Sequence, residues 1–190
     1  MDAFARLMAE TADLFRREGR VEGEACADAF AHVPFPTRYP TINLTPILSA
    51  LADATTPAAK TLRDACEFLP WELNSTSIFG ASDSIEDVYF VVRLIGPGCL
   101  LHSDTILAGY FLQLPGIYYP LHSHAAAETY VILGGEADWT SDMDIFRFGA
   151  GAMIYHPPYL PHAMRTFEQP LIAAWRWSGN IDADTYRFLE

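Results

Sequence analysis

Two histidines and a glutamate lie close together in the second half of the chain, at a spacing that suits a metal ion. His122 and His124 are one residue apart, so on a β-strand both side chains leave the same face. Glu128 follows after a run of three alanines, and His162 lies in a later segment that can supply a ligand from a second hairpin. Imidazoles and a carboxylate suit Zn²⁺, Fe²⁺, Mn²⁺ or Co²⁺. The spacing therefore predicts a site for one divalent transition metal, without specifying which of these four it is.

Tyr130 has the same strand parity as Glu128, so its ring is expected to point into the same interior. In a generic barrel it would be a core tyrosine with a satisfied hydroxyl. Beside a cation, however, the phenolate is stabilised and its pKa falls from about 10, which would make it available as a base. His102 and His156 lie outside this pattern and are predicted to be structural or to stand beside the metal.

The first third of the chain has apolar residues at helical spacing, interrupted by a segment with three prolines. Pro57 follows two threonines, which is a favourable helix start. That proline-rich segment is a loop, and whether it closes over a site stays open. Helices are predicted at residues 2–18, 22–32, 44–54 and 57–69.

From Val88 onward the chain changes to short apolar and aromatic runs separated by Gly and Pro, among them ETYVILGG, EADWT and LIAAWRW. Such runs are typical of antiparallel strands in a sandwich or barrel. The predicted fold is therefore mainly β. An antiparallel β-barrel would occupy residues 76–190, with a helical N-terminal region, residues 1–75, packed on it.

Charge and cysteine content narrow the possible partners. The chain of 190 residues has a formal net charge of −12 at pH 7, which repels nucleic acid and anionic membranes, so neither partner is expected. Three widely spaced cysteines argue against a disulfide framework and favour a reducing compartment. The N-terminus has no secretion signal pattern. We expect a cytoplasmic protein that acts on a small molecule, either as a monomer or as a homodimer.

The residues around the metal-binding pattern resemble the first cupin motif. Its two flanking glycines, its His-x-His pair and its glutamate correspond to Gly116, Gly135, His122, His124 and Glu128. The resemblance implies a cupin barrel, also called a double-stranded β-helix.

A later segment resembles the second cupin motif in part. Gly151, Pro157 and His162 occupy the expected places, whereas Tyr159 replaces a usual Gly and Thr166 a usual Asn. These departures keep the metal ligand but put the usual hairpin geometry in doubt.

Within the cupins, the helical N-terminal third, the run YYPLHSHAAAETY and the late run HPPYLPHAMRT resemble the DddQ-type dimethylsulfoniopropionate (DMSP) lyases of marine bacteria. The resemblance covers essentially the whole chain. It implies that Tyr130 is both a metal ligand and the catalytic base. The implied metal ligands are His124, Glu128, Tyr130 and His162.

The remaining site residues are less closely defined. His122 would lie beside the metal, although a set of three histidines and one glutamate stays open. Tyr119 resembles a substrate-site tyrosine of the lyases and is also a candidate catalytic residue. Aromatic faces can attract the sulfonium end of DMSP, and Trp177 and Tyr39 follow Tyr119 as candidates. Other aromatic residues available for this purpose are Tyr118, Tyr155, Tyr159 and Trp175.

The resemblance implies a β-elimination. A metal that binds the substrate carboxylate would act as a Lewis acid, and removal of the Cα proton would expel dimethyl sulfide and leave acrylate. Two alternatives stay open from the residues alone. One is an Fe²⁺ cupin dioxygenase, which would consume oxygen. The other is a cupin that binds a small molecule without turnover.

Overall fold

The computed structural model of the protein describes residues 2–37, 40, 42–52, 54–73 and 89–189. It confirms the four predicted helices, and the last of them ends early and continues as a 3₁₀ turn at Cys66–Phe68. Tyr39 and the proposed domain boundary at residue 75 lie outside the described residues, so both stay predictions. The helices are α1 (Ala3–Arg16), α2 (Val21–Phe30), α3 (Thr45–Ala52) and α4 (Pro57–Asp64).

The strands form one curled antiparallel sheet, as the sequence predicts for this mainly β chain. Their order is β1-β2-β3-β9-β5-β8-β4-β10, and β6 and β7 both pair with β5. The strands are β1 (Glu72–Leu73), β2 (Tyr89–Ile95), β3 (Ile106–Gln113), β4 (Tyr118–Ser123), β5 (Ala127–Ser141), β6 (Asp144–Gly149), β7 (Met153–His156), β8 (His162–Arg165), β9 (Leu171–Ser178) and β10 (Arg187–Phe188).

The curled sheet separates two apolar layers. Along β9, Ala173, Trp175 and Trp177 face the barrel interior, while Ile172 and Ala174 pack on the opposite side. The helices cover that outer side with side chains such as Phe4, Leu7 and Phe15 of α1, each of which is almost completely buried. Burial of one such side chain contributes about 1.5–3 kcal/mol. The helical layer therefore covers the outer face of the sheet and leaves the interior for the site.

Strand β5 joins two runs that the sequence presents separately, ETYVILGG and EADWT. Its first part pairs with β7 and β9, and its second part pairs with β6 and β8. Pairing with β9 shifts register between Ile132 and Gly134, and Gly135 has φ 71°. A Cβ atom at Gly135 would lie 1.6 Å from the Pro170 carbonyl oxygen, so only glycine fits. This bulge lets one strand serve both walls of the barrel.

A buried ion pair fastens the segment just after α1 to the outer face of β9. Arg176 is fully buried, and its Nε donates to Glu18 Oε2 at 2.9 Å while its Nη2 contacts Glu18 Oε1. Thr129 donates to the same carboxylate at 2.8 Å, and Arg176 Nη1 donates to Ser178 Oγ. Because a buried charge is costly unless it is paired, these partners fix the position of the helix on the sheet.

Candidate active site

Three imidazoles and a carboxylate converge inside the barrel. His122 lies on β4, His124 follows that strand, Glu128 lies on β5 and His162 begins β8. The ligand atoms of His122, His124 and His162 all lie within 4.8 Å of one another. Glu128 Oε2 is 3.2 Å from His124 Nε2 and 3.0 Å from His162 Nε2. The structure thus brings together the histidines and the glutamate that the sequence singles out, and it buries all four.

The backbone orients each of these imidazoles in the same way. The Nδ1 atoms of His122, His124 and His162 lie 2.7, 3.1 and 2.9 Å from the carbonyl oxygens of Pro120, Ala126 and Leu160. A carbonyl can only accept, so in the neutral rings of His122 and His162 Nδ1 carries the proton and Nε2 keeps a lone pair. His124 Nε2 also forms a hydrogen bond with Glu128 Oε2 at 3.2 Å, so both of its nitrogens face acceptors.

The Nε2 atom of His162 has no hydrogen-bond partner to use its lone pair among the residues that the structure describes. It is buried near Glu128 without forming a hydrogen bond of ordinary geometry to that carboxylate. Burial, helped by His162, also lowers the pKa of His122 well below its ordinary value, which favours a neutral ring. Imidazoles whose Nε2 atoms converge on a carboxylate are donors that fit a divalent transition metal.

Glu128 is held at both oxygens. Trp177 Nε1 donates to Oε1 at 2.7 Å, while Oε2 faces the histidines. Burial alone would raise the pKa of this carboxyl, but His124, with contacts from His156 and His162, holds it well below its ordinary value. The carboxylate is therefore ionised and fixed in orientation.

His156 lies in the site, although the sequence pattern does not include it. Its Nδ1 is 3.5 Å from Glu128 Oε2, and its Nε2 accepts a hydrogen bond from Trp139 Nε1 at 2.9 Å. Its ring stacks on that of His162, with centroids 4.0 Å apart. Burial, helped by the nearby His162, lowers the pKa of His156 to about 4. His102, in contrast, is exposed and pairs with Asp104.

Tyr130 points into the barrel beside Glu128, on the face that strand parity predicts. Its ring makes edge-on contacts with Phe111, Trp139 and His156. Burial, together with the negative charge of Glu128, raises its pKa well above the ordinary value for a phenol. Among protein groups alone the hydroxyl therefore keeps its proton, and a positive charge nearby would be needed to release it.

Tyr119 and Tyr186 form a hydrogen-bonded pair, of which the sequence analysis selects only Tyr119. Tyr186 donates to the Tyr119 hydroxyl at 2.8 Å, and its ring stacks on His122 at 4.9 Å. Burial raises the pKa of Tyr119 to about 12, with Tyr186 acting in the opposite direction. Tyr186 belongs to no motif. It reaches the site because β10 pairs with β4, a contact between segments far apart in the chain.

These side chains line a cavity of about 120 Å³. Ligand pockets for larger molecules measure about 300–1,000 Å³, so this one suits a small substrate. Arg93, which the sequence analysis did not select, lines it and is paired with Glu72 at 2.5 Å. The other polar or aromatic residues that line it include Tyr119, His122, Glu128, Tyr130, Trp175 and Trp177.

Several aromatic candidates lie elsewhere. Tyr118 stacks with Arg165, Tyr155 stacks with Arg20, and Tyr159 is exposed. They do not line the cavity, and Tyr39 lies outside the described residues.

The two departures from the second cupin motif are accommodated locally. Tyr159 adopts φ 63°, the left-handed conformation that a glycine would take easily, and its N–H donates to the His124 carbonyl at 2.8 Å. The Thr166 hydroxyl donates to the Leu114 carbonyl at 2.6 Å and accepts from Ile117 N–H at 3.0 Å. His162 therefore reaches the site although both residues are unusual.

The curled antiparallel sheet with buried histidines and a glutamate in its interior gives the chain a cupin-type fold. A solved cupin-2 domain, Rru_A2000 from Rhodospirillum rubrum, has a similar fold with a TM-score of 0.52 and 15% identity over 64% of this chain and 76% of that one.

The chain belongs to the dimethylsulfoniopropionate lyase family, whose sequence model matches residues 5–173. It is 35% identical to the DMSP lyase DddQ of Ruegeria pomeroyi, over 95% of this chain and 91% of that protein. The crystal structure of DMSP lyase DddQ from Ruegeria pomeroyi DSS-3 aligns with a TM-score of 0.71 and 27% identity, covering 95% of this chain and 93% of that one.

In the part of the chain that the structure describes, no helix combines the length and apolar character needed to cross a membrane.

Proposed function

We propose that this protein cleaves DMSP by β-elimination into dimethyl sulfide and acrylate. Membership of the DMSP lyase family and the likeness to DddQ along nearly the whole chain support this activity. The observation that carries the proposal is the small cavity in which Tyr130 and Glu128 stand beside convergent imidazoles. Its size and its mixed polar and aromatic lining suit a short zwitterion.

The proposed metal ligands are His124, Glu128, Tyr130 and His162, with His122 beside them. The oriented Nε2 atoms of His124 and His162 and the ionised carboxylate support one divalent ion, which could be Zn, Fe, Mn or Co. When bound, such an ion supplies the positive charge that stabilises a phenolate and a substrate carboxylate.

Tyr130 is the proposed base. Its phenolate oxygen takes the Cα proton of DMSP, and the electron pair of that C–H bond forms the double bond between Cα and Cβ. The Cβ–S bond breaks, and its electron pair leaves with sulfur as neutral dimethyl sulfide. Because the protein surroundings alone raise the pKa of Tyr130, its use as a base depends on a cation in the site.

The aromatic wall is proposed to bind the sulfonium, which has no hydrogen-bond donor. Trp177 is held by its indole bond to Glu128, and Tyr119 by its bond to Tyr186. Both can turn π-electron density toward a cation, and such contacts are worth about 0.5–2 kcal/mol. Tyr119 is further proposed to act on the substrate as a catalytic residue, and His122 and Tyr39 remain proposed substrate contacts.

We further propose that the protein works in the cytoplasm, as a monomer or homodimer. The acidic net charge and three free cysteines support a reducing compartment without nucleic-acid or membrane partners.

The test is a headspace assay for dimethyl sulfide released from DMSP, run on the wild type and on Tyr130→Phe. We expect the variant to release dimethyl sulfide at least about a hundredfold more slowly, because general base catalysis contributes about 10²–10⁴ in rate. Metal content is measured on both proteins to separate loss of the base from loss of the ion. Release that persists undiminished in Tyr130→Phe would exclude the phenolate as base.

A further inference from the structure

Two overlapping groups of side chains could hold an ion in this site. One comprises His122, His124 and His162, and the other Glu128, His156 and His162. His156 is the residue whose role the two groups leave undecided. Resting on the proposed metal site, we propose that His156 is a positioning residue for Glu128, held in that role by Trp139, and is not a metal ligand.

The Trp139 indole determines which nitrogen of His156 carries the proton. Trp139 is fully buried, and an indole N–H can only donate. It donates to His156 Nε2 at 2.9 Å, so the Nε2 lone pair is already used. The neutral ring must then carry its proton on Nδ1. A protonated nitrogen has no lone pair to offer an ion.

This arrangement is the reverse of that at His122 and His162, where a carbonyl at Nδ1 leaves Nε2 of the neutral ring with a lone pair. His124 has the same carbonyl contact at Nδ1, and its Nε2 lies against Glu128 Oε2 at 3.2 Å. In His156 a donor at Nε2 leaves Nδ1 with a proton. The three imidazoles with a carbonyl at Nδ1 can therefore turn Nε2 toward an ion, whereas His156 turns an N–H toward the carboxylate.

The proton of His156 faces Glu128. Its Nδ1 is buried, lies 3.5 Å from Glu128 Oε2 and has no other hydrogen-bond partner among the described residues. This separation is a few tenths of an ångström beyond the usual hydrogen-bond range, so at this distance the two groups attract mainly through charge and dipole. Trp177 holds the opposite oxygen, Oε1. Two ring N–H groups, one from β7 and one from β9, therefore restrict rotation of the carboxylate.

The experiment compares Co²⁺ binding by wild type, His156→Asn, His156→Leu and His162→Ala. The asparagine amide can place an N–H near the position of Nδ1, whereas leucine has no donor. Affinity and stoichiometry are measured by titration, and the visible spectrum of the Co²⁺ protein reports the ligand set. Circular dichroism verifies the fold of each variant.

We expect His156→Leu to bind one Co²⁺ about 10–100-fold more weakly, the usual cost of losing a partner that orients a metal ligand. His156→Asn should bind within a few-fold of wild type, and its spectrum should keep the wild-type bands. Trp139→Phe should weaken binding in the same direction as His156→Leu. If His156→Leu fails to fold, the His156→Asn result decides the question.

His156→Asn binding as weakly as His162→Ala, with a changed spectrum, would make His156 a ligand and overturn the inference. Unchanged affinity in His156→Leu would also overturn it. The proposed activity fails separately: a wild type that binds Co²⁺ but releases no dimethyl sulfide from DMSP with any of the four metals would exclude the lyase function while the binding results still decide the role of His156.

Discussion

At the residue scale, short backbone segments determine how the imidazoles of the site can act. Each of His122, His124 and His162 bonds through Nδ1 to a carbonyl only two residues away. The chain conformation around each histidine therefore orients its ring, and in His122 and His162 it also determines the tautomer of the neutral ring. This local control explains why a His-x-His pattern is readable in the sequence, since the residues that orient the rings are neighbours of the rings.

Tyr119 provides a prediction at this scale. Tyr119→Phe removes the hydroxyl that faces the cavity and accepts from Tyr186, while the aromatic face stays. We expect kcat/KM for DMSP to fall about tenfold, equivalent to about 1.4 kcal/mol, which is the scale of one hydrogen bond. Metal content should not change. Steady-state kinetics with a parallel metal analysis provide the measurement, and unaltered kinetics would remove Tyr119 from the reaction.

At the element scale, the buried pair of Glu18 with Arg176 joins the segment that follows α1 to β9. Glu18→Ala would leave the Arg176 guanidinium buried without its carboxylate. We expect the free energy of unfolding to fall by about 3–5 kcal/mol. Urea denaturation measures the change.

The matched control uses an exposed ion pair within α1, close to Glu18 in the chain. Arg16→Ala breaks the pair with Asp13, and its effect should stay within about 1 kcal/mol. Equal effects of the two substitutions would contradict the assigned role of the buried pair.

Periodicity and composition were sufficient to predict the helices and most strands, because those signals are local. They did not show that the runs before and after Gly134 and Gly135 form one strand, since paired glycines look like a turn in the sequence. The sequence also did not predict the contacts of Tyr186 with His122 and of Trp139 with His156. Both depend on pairing between distant segments, and neither has a motif.

At the scale of the whole molecule, the sheet divides the interior that holds the candidate site from an outer layer that is mainly apolar apart from the ion pair of Glu18 with Arg176. Cys26 and Cys66 lie in that outer layer and are buried. Burial raises the pKa of Cys66 to about 11 and that of Cys26 further, from an ordinary value of 9.0. Both thiols are therefore protonated and shielded near neutral pH.

Thiol labelling tests this closure of the outer layer. At pH 8 a disulfide reagent should leave Cys26 and Cys66 of the native protein unmodified and react slowly with the partly exposed Cys99, because the thiolate is the nucleophile. In urea all three should react.

The raised pKa values of the Cys26 and Cys66 thiols also determine how the free energy of unfolding changes with pH. Above pH 9 the unfolded chain releases thiol protons that the native state keeps, so the free energy of unfolding should decrease as the pH rises toward 11. In the labelling experiment, rapid modification of all three thiols in the native protein would show that the outer layer is open.

The extra residue near Gly134 in β5 has a consequence for tolerance to insertions and deletions. Before it, even-numbered residues such as Glu128 and Tyr130 face inward, whereas after it odd-numbered ones such as Trp139 do. Removal of a single residue there would turn the Trp139 indole outward. Glu128 and Tyr130 could then stay in place while His156 lost the hydrogen bond from Trp139. An insertion or deletion at this point would therefore disturb the candidate site. One at the exposed β5–β6 tip would change only the surface.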